Sequence, residues 1–547
     1  MSRDACRVWG RRIAASVCAG LLCWAPPAYA DDDAPTPTPA ETSTAGEPED
    51  FQSIVDPDGA FAIPPYATIR KDAEAGDAAA MAVLGDYYAH PDAQGHDEAE
   101  AVRWYEAAAA KGDDYALVLM ARRYLTGDGV PRDEAKALSS FATAAEMGSA
   151  DAADGLGLIH EEGLGVPVDL EAARTWYLIG VQRESPTSML RLGGLYQRGA
   201  GVEQDAAQAA TYYERAAKAG NAEAAYRLAC AYADGKGVSA NESVSMDWLR
   251  QAAKADHAEA AFDLGMAYRL GTNVKQDDQQ AATWLARAAE AGIPQAQNEY
   301  GTLLADGLGV TKDVKQANAL FRQAAEAGID HAEFNLGVSY RLGRGVTKSD
   351  KTAASWFERA AAQGNALAQV ELGWMCLDGK GTAQDSRRAR VLFERAAKKD
   401  EPLAYRALGH VYYEGIGIAR NRSQAMDYWV KGSRAGDAAS AAHVAHMLYT
   451  GDGVAKNEKV AYDWFVLAAR RGDPTAQRRL AVLLRGGRVV PRDIERAYAW
   501  FIVAAQRGDA RAREALGDVI DELTSAQLIA AKRRAGEIQA RLDAAGL

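Results

Sequence analysis

The chain has 547 residues, of which 48% are hydrophobic and 25% are charged, so it is long and apolar enough for several cores or one extended core. Its formal net charge of −13 disfavours nucleic acid as a general partner, because a phosphate backbone requires a positive surface. The charge is uneven: residues 401–547 carry 22 basic and 17 acidic side chains, and this net of +5 could attract an acidic partner.

Residues 1–30 are typical of a secretory signal peptide. Arginines precede an apolar run, IAASVCAGLLCW (Ile13–Trp24), and APPAYA then supplies small residues for cleavage after Ala30. A membrane anchor is less favoured, because a spanning helix needs ~20 apolar residues. No later segment is apolar enough to span a membrane, so we expect an exported protein, periplasmic or secreted, with no transmembrane segment after cleavage.

Residues 31–63 are acidic and rich in proline and threonine, with almost nothing to bury. This composition predicts a disordered linker. Residues 64–76 then form the leading helix of a half-repeat.

The rest of the chain is periodic. Helical runs that end in AAxxG place a marker at residues 76, 112, 148, 184, 220, 256, 292, 328, 364, 400, 436, 472 and 508, and every interval is 36. Ten markers are glycine, and the others are Glu184, Asp256 and Asp400. The period predicts one array of twelve repeats over residues 77–508. Residues 509–547 are expected to form C-terminal capping helices, with Thr524 and Gln527 spaced as a capping box.

Each repeat is predicted to be a helix-turn-helix unit, in which position 1 is the residue after a marker. Asp, Asn or Ser at position 1 is a helix N-cap, and an apolar stripe follows, as in Leu336, Gly337 and Tyr340. Glycine at position 15, and usually also at 17, ends the first helix. A second cap at position 21 begins a helix with large residues at positions 28 and 29, which we expect to wedge against the next repeat.

This pattern resembles the Sel-1-like repeat family, and AEFNLGVSYRLGRGVTKSDKTAASWFERAAAQG carries it almost throughout. The resemblance covers roughly residues 64–547. It implies an all-α fold, an α/α superhelical solenoid of twelve 36-residue helix-turn-helix repeats with a C-terminal capping helix. Repeat 1 departs from the pattern at Pro91 and Ala93, repeat 3 at Gly180 and Val181, and repeat 6 at Asn273.

The recurring glycine pairs raise the possibility of a phosphate-binding loop, as in ADGLGVTKD with Gly307 and Gly309. Such a loop follows a strand and occurs once, whereas these pairs recur in nine repeats and no strand pattern precedes them. We therefore interpret them as turns between helices, with Asp313 as the cap of a second helix.

No catalytic or cofactor site is predicted. His410, His443 and His446 could approach one another, but the spacing of neighbouring repeats is long for a shared metal ion. Cys230 and Cys376 are four repeats apart, too far for a disulfide. Exported relatives with a cysteine pair in each repeat have been linked to β-lactam binding or hydrolysis, and that pattern is absent here, so such an activity ranks third and no enzyme is expected.

Positions 3, 6, 7, 10 and 14 of each first helix point away from the packed stripe and vary between repeats. In the related tetratricopeptide architecture, this is the concave binding face. The residues expected to bind a partner there pass from aromatic to basic along the chain: Tyr226, Phe262, Met266, Phe334, Trp374, Arg406, His410, His443, His446 and Arg478. An equally weighted alternative is that position 6 packs against the adjacent helix and is structural.

The sequence thus predicts a non-catalytic exported scaffold that binds an envelope protein or peptide, without a cofactor. By resemblance, it would serve in cell-envelope assembly or signalling. The alternative is an assembly or secretion factor associated with polysaccharide or peptidoglycan, in which an acidic glycan would bind at the basic C-terminal end.

Overall fold

The computed structural model describes residues 66–90 and 96–546. The predicted signal peptide and the linker lie outside the described residues, as do Pro91 and Ala93. The described residues form 27 α-helices and no strand, which confirms the all-α class. The helices are α1 Tyr66–Glu74, α2 Ala78–Ala89, α3 Glu98–Ala110, α4 Asp114–Thr126, α5 Glu134–Glu146, α6 Ala150–Glu162, α7 Leu170–Gln182, α8 Pro186–Arg198, α9 Ala206–Lys218, α10 Ala222–Asp234, α11 Glu242–Lys254, α12 Ala258–Leu270, α13 Asp278–Glu290, α14 Pro294–Asp306, α15 Val314–Glu326, α16 Asp330–Leu342, α17 Asp350–Gln363, α18 Ala366–Asp378, α19 Ser386–Ala397, α20 Pro402–Glu414, α21 Arg422–Arg434, α22 Ala438–Thr450, α23 Glu458–Arg470, α24 Pro474–Gly486, α25 Ile494–Gln506, α26 Ala510–Ile520 and α27 Ser525–Ala544.

Two compact units divide these helices between Gln276 and Asp277, inside repeat 6. Unit 1 contains α1–α12, and unit 2 contains α13–α27. Within each unit, the two helices of a repeat pack against each other and against the next repeat, and first helices of successive repeats also contact each other, as α4 contacts α6 and α18 contacts α20. The first helices therefore line one side of each unit, which we call the inner face.

Backbone geometry explains the turn between the two helices of a repeat. Gly307 ends α14 with φ of +75°, and Gly309 follows with φ of +68°. A Cβ added at Gly309 would lie 2.1 Å from the carbonyl oxygen of Asp278, so the turn rests directly on the preceding repeat. Asp313 accepts a hydrogen bond from Gln316 N over 2.9 Å and caps α15. The predicted turn and cap are confirmed.

Positive φ also occurs where the period replaces glycine by another residue. Among the described residues, the non-glycine positions with positive φ are Glu184, Asn273, Asp256 and Asp400. All four occupy marker or turn positions that are glycine in most other repeats. The repeat geometry therefore imposes a left-handed conformation even on side chains that disfavour it.

The core of each repeat is built around position 29. This side chain is at most 4% exposed in all twelve repeats, where it is Tyr, Phe, Leu or Trp. In repeat 8, a Cβ added at Gly337 would lie 2.5 Å from Phe357 Cε1, so the glycine at position 9 admits the ring. The side chain at position 29 also contacts the next repeat: in repeat 10 it is Trp429, whose ring stacks on His443 of repeat 11. The predicted wedge is thus shared between a repeat and its successor.

The array ends in unit 2 as predicted, with a capping helix. Helices α26 and α27 both pack against α25, and Leu542 of α27 is 3% exposed. Thr524 and Gln527 form a capping box at the start of α27, because each side chain bonds the other's backbone. Along the described residues, none of the helices has both the length and the apolar character that crossing a membrane would require.

Candidate partner-binding surface

In unit 1, Tyr226 of α10 is half-buried and bonded to the next repeat. Its ring stacks on His257 with centroids 4.6 Å apart, and its hydroxyl donates to Asp263 Oδ2 over 2.9 Å. Burial raises the pKa of Asp263 to about 7, while the hydrogen bond from His257 lowers the pKa of Glu223 to about 2. These contacts hold repeats 5 and 6 together, so Tyr226 has a structural role as well as a place on the inner face.

The remaining unit 1 candidates differ in exposure. Phe262 is half-buried on α12. Met266 is 1% exposed, so its side chain belongs to the core and offers no surface to a partner. In unit 2, Val370 at position 6 of repeat 9 is likewise only 2% exposed. The expectation that Met266 faces a groove is therefore corrected.

In unit 2, the aromatic candidates rest on core rings. Phe334 is half-buried with its ring 5.7 Å from that of Phe357. Trp374 lies 5.4 Å from Phe393 and 5.8 Å from His410 of the next repeat, measured between ring centroids. Part of each ring therefore packs inside the structure, and only the remainder faces solvent.

The two arginine candidates form ion pairs with the cap residue of the next repeat. Arg406 Nη1 lies 3.3 Å from Asp437 Oδ1, and Arg478 Nε lies 2.8 Å from Asp509 Oδ2. The side chain of Arg478 is only 13% exposed, whereas that of Arg406 is 38% exposed. Arg406 can therefore still meet a partner, while Arg478 chiefly ties repeat 12 to the capping helices.

The two histidines of α22 are exposed. His443 stacks on the Trp429 ring with centroids 4.5 Å apart and 18° between the planes. Desolvation by the surrounding helices and the charge of Arg406 lower the pKa of His443 to about 4. Desolvation and the charge of Arg479 lower the pKa of His446. Both imidazoles are accordingly neutral near pH 7, although they sit among cationic groups.

The sequence reasoning missed the residues that pair with this stripe. Position 6 of one repeat contacts position 1 of the next in both units, as Tyr226 contacts His257, Arg406 contacts Asp437 and Arg478 contacts Asp509. A signal was available, because each position-1 residue was already recognised as an N-cap and lies 31 residues further along the chain.

The described residues do not assemble a metal-binding centre. No group of three or more His, Cys, Asp or Glu side chains among them is arranged to hold a metal ion. Cys376 is buried with a free thiol, which confirms that it does not pair with Cys230, and burial raises its pKa. A buried, protonated thiol is a poor nucleophile.

Comparison with known proteins agrees with this architecture. None of the curated proteins compared matches the chain. A solved structure of a protective antigen of uropathogenic Escherichia coli strains, which displays an SLR fold, is 28% identical, covers 81% of this chain and 96% of its own, and has a TM-score of 0.63. A Sel1 repeat protein from Oxalobacter formigenes is 26% identical, with 60% and 93% covered and a TM-score of 0.45.

The match to a family model is more extensive. The model described as Sel1 repeat matches residues 78–113, 114–149, 150–182, 186–221, 222–257, 258–293, 294–329, 330–365, 366–401, 402–437, 438–473 and 474–509. These twelve consecutive matches follow the 36-residue period, and the shortened third match falls where repeat 3 departs from the pattern. With its helical hairpins and its repeats in register, this chain belongs to the Sel1 repeat family.

Proposed function

We propose that this chain is a non-catalytic scaffold, exported to the cell envelope, that binds a protein or peptide on the inner face of its repeats. Sel1 repeat proteins are generally scaffolds for protein–protein interaction. The observation that carries the proposal is the contrast between two kinds of position. Position 29 is large and buried in every repeat, whereas position 6 varies from Tyr226 to Phe334 and Arg406.

This contrast supports binding of a partner, because core packing accounts for the residue types at position 29 but not for the variation at position 6. A side chain that fills the core is restricted in size by its neighbours. Several inner-face side chains, such as Phe334 and Arg406, keep an exposed portion although Val370 is buried, and His443 and His446 are exposed outright. Aromatic rings and arginines with an exposed portion are the side chains that dominate protein interfaces.

Export is supported by the signal-peptide pattern of residues 1–30. Fractionation of the producing cells tests it, with the mature chain expected in the periplasm and beginning at Asp31. Recovery of uncleaved chain in the cytosol would contradict export.

Photo-crosslinking in living cells tests the binding face. A benzophenone amino acid is placed at His446 or Phe334 on the inner face, and at Leu308, which is 44% exposed in a turn, as the matched control. We expect a discrete protein adduct from the inner-face sites and none from Leu308. Adducts of equal yield at all three sites, or adducts with carbohydrate only, would contradict a protein-binding inner face.

A further inference from the structure

Unit 2 carries a cluster of nitrogen-bearing side chains on the inner face of repeats 10–12, which we call the histidine patch. It consists of Arg406 and His410 on α20, His443 and His446 on α22, and Arg479 on α24. His443 and His446 are exposed and the other three are half-buried, so every member presents some polar surface. The patch crosses three successive first helices, as an extended ligand would.

Charge within the patch disfavours protonated imidazoles. Beside desolvation, Arg406, His410 and His446 lower the pKa of His443 and Arg479 lowers that of His446, while Asp437 and Asp452 oppose the effect without cancelling it. In the free protein at neutral pH the arginines therefore carry the positive charge of the patch, and the imidazoles offer neutral polar groups.

The carboxylates at the edge of the patch already form hydrogen bonds and ion pairs within the protein. Asp437 is 8% exposed and receives hydrogen bonds from Ser440 N and Oγ as well as the ion pair from Arg406. Asp452 accepts a bond from Tyr413 and pairs with Arg422 over 2.9 Å.

Asp473 is the third carboxylate at the edge of the patch, and it too is engaged. Asp473 caps α24 by accepting from Ala476 N over 2.6 Å. Among the described residues Arg479 has no ion-pair partner, in contrast to its neighbour Arg478. Of the two arginines of the patch, Arg406 is thus paired with Asp437, and Arg479 is left for an external anion.

We infer that the histidine patch binds the carboxylate side chains of an extended acidic peptide segment in a partner protein. This inference rests on the proposed scaffold function and specifies the chemistry of its ligand. The imidazoles at positions 7 and 10 of repeat 11 lie one helical turn apart on α22, and Arg479 follows on the next first helix, so consecutive acidic residues can be met across the repeats. Val482 on α24 is 46% exposed and offers an apolar contact beside the charges.

A peptide is favoured over an acidic glycan because the two tryptophan rings beside the patch are engaged by neighbouring rings. Trp429 is 2% exposed and is covered by His443. Trp374 contacts both Phe393 and His410. Protein sites that hold sugars by stacking need an open ring face, whereas carboxylates need charge and N–H donors.

Binding should be linked to protons. A carboxylate placed beside His443 and His446 favours their charged forms and raises their pKa values, so the complex takes up protons that the free protein does not hold. Affinity is therefore expected to increase as the pH falls from 8 toward 5, while the peptide's carboxylates remain ionised.

Fluorescence anisotropy on the full chain tests the inference. The probes are a labelled decapeptide of alternating Glu and Ser, the same peptide with Gln for Glu, and a labelled oligogalacturonate, all at low ionic strength. We expect the Glu peptide to bind at least ten-fold more tightly than the Gln peptide, and about three-fold more tightly at pH 5.5 than at pH 8. Arg479→Gln and His446→Gln should each weaken binding several-fold, and the His443→Gln/His446→Gln variant should abolish the pH dependence.

Arg470→Gln is the matched control, since it removes the same charge from an exposed residue at the end of α23. Equal loss of affinity in this control, tighter binding of oligogalacturonate than of the Glu peptide, or no preference for Glu over Gln would each overturn the inference. If His443→Gln disturbs folding by uncovering Trp429, Arg479→Gln and His446→Gln still decide the outcome. A photo-crosslinked partner with no Glu-peptide binding would leave the scaffold function standing and reject only this ligand.

Discussion

One junction between repeats in each unit departs from the packing used at the others. Position 32 of a repeat and position 4 of the next are both alanine at ten of twelve junctions, but they are Gly180 and Ser188 in unit 1 and Gly432 and Ser440 in unit 2. A Cβ added at Gly180 would lie 2.0 Å from Ser188 Oγ, and one added at Gly432 would lie 2.5 Å from Ser440 Oγ. At the other junctions the space between the two helices holds the methyl groups of two alanines. Where serine replaces one alanine, its hydroxymethyl group is larger, and glycine replaces the other alanine to make room.

The two junctions differ in how the hydroxyl is satisfied. Ser440 Oγ donates to Asp437 Oδ2 over 2.5 Å. The corresponding cap in unit 1 is Ser185, whose Oγ accepts from Ser188 N. Ser188 Oγ forms no hydrogen bond of good geometry, although it lies close enough to the Asp154 carboxyl to lower the pKa of that group. Both junctions solve the steric problem in the same way, but only the one with a carboxylate cap also compensates the buried polar atom.

The two junctions also differ in the charge of the residue at position 6. Arg406 at the unit 2 junction is paired with Asp437, whereas Asp154 at the unit 1 junction has an oxygen, Oδ1, without a hydrogen-bond partner in the described part of the chain. Burial raises the pKa of Asp154 to about 6 despite the opposing charge of Arg191. The unit 1 junction is therefore the less well compensated of the two.

Gly180→Ala should have the largest effect on this comparison, a loss of about 2 to 3 kcal/mol of unfolding free energy, because the added methyl overlaps Ser188. The gain in helix propensity of about 1 kcal/mol offsets only part of it. Urea denaturation followed by circular dichroism measures the loss. The double variant Gly180→Ala/Ser188→Ala, which restores the pairing of the other junctions, should recover stability; failure to recover would reject the volume exchange.

Asp154→Asn should stabilise the protein by about 1 to 2 kcal/mol at pH 8. The folded-state pKa is raised, so the ionised carboxylate costs stability above pH 6, and protonation removes that cost as the pH falls through 6. The gain should therefore disappear at pH 4, as judged from melting temperatures at both pH values. A gain of the same size at pH 4 would mean that burial of the charge is not its cause.

Gly432→Ala should destabilise by a smaller amount, about 1 to 2 kcal/mol, since its overlap with Ser440 is less severe. Adding Ser440→Ala should restore only part of the loss, because the bond to Asp437 disappears with the hydroxyl. Complete recovery, measured by the same denaturation experiment, would show that this bond contributes nothing.

The two serine variants alone give the smallest and sharpest contrast. Ser440→Ala should cost about 1 kcal/mol through its lost hydrogen bond, whereas Ser188→Ala should stay within about 0.5 kcal/mol of wild type or exceed it. Thermal unfolding of both proteins side by side provides the measurement. Equal losses would indicate that Asp154 satisfies the Ser188 hydroxyl as fully as Asp437 satisfies that of Ser440.

Much of the fold followed from the sequence because its determinants are local. A helix cap such as Asp313 acts on a backbone group three residues away, and a turn glycine such as Gly307 responds to its own φ angle. The register also placed Glu184 at a marker position, and the structure shows the positive φ of the glycine markers there. Even the coupling of Gly180 to Ser188 is visible in the sequence as paired exceptions within one period.

The candidate surface was less predictable. Helical periodicity indicates the direction in which Met266 leaves its helix, but not how closely a neighbouring element covers that direction, and in the structure it is buried. Likewise, the sequence placed Arg406 on a variable stripe but did not show that Asp437 of the next repeat receives it. These contacts depend on the offset between stacked repeats.

The amino-acid sequence by itself determined the repeat length, the helix caps, the turns and the large side chain at position 29, because each depends on interactions within one or two helical turns or within one repeating unit. Only the tertiary structure decided which variable residues remain accessible and which charges are already neutralised. Exposure and ion pairing arise between repeats, where the distance and rotation of one helix relative to the next set the outcome. That is why Met266 left the candidate surface, while His443 and His446 stayed exposed on it, next to Arg479, which has no ion-pair partner among the described residues.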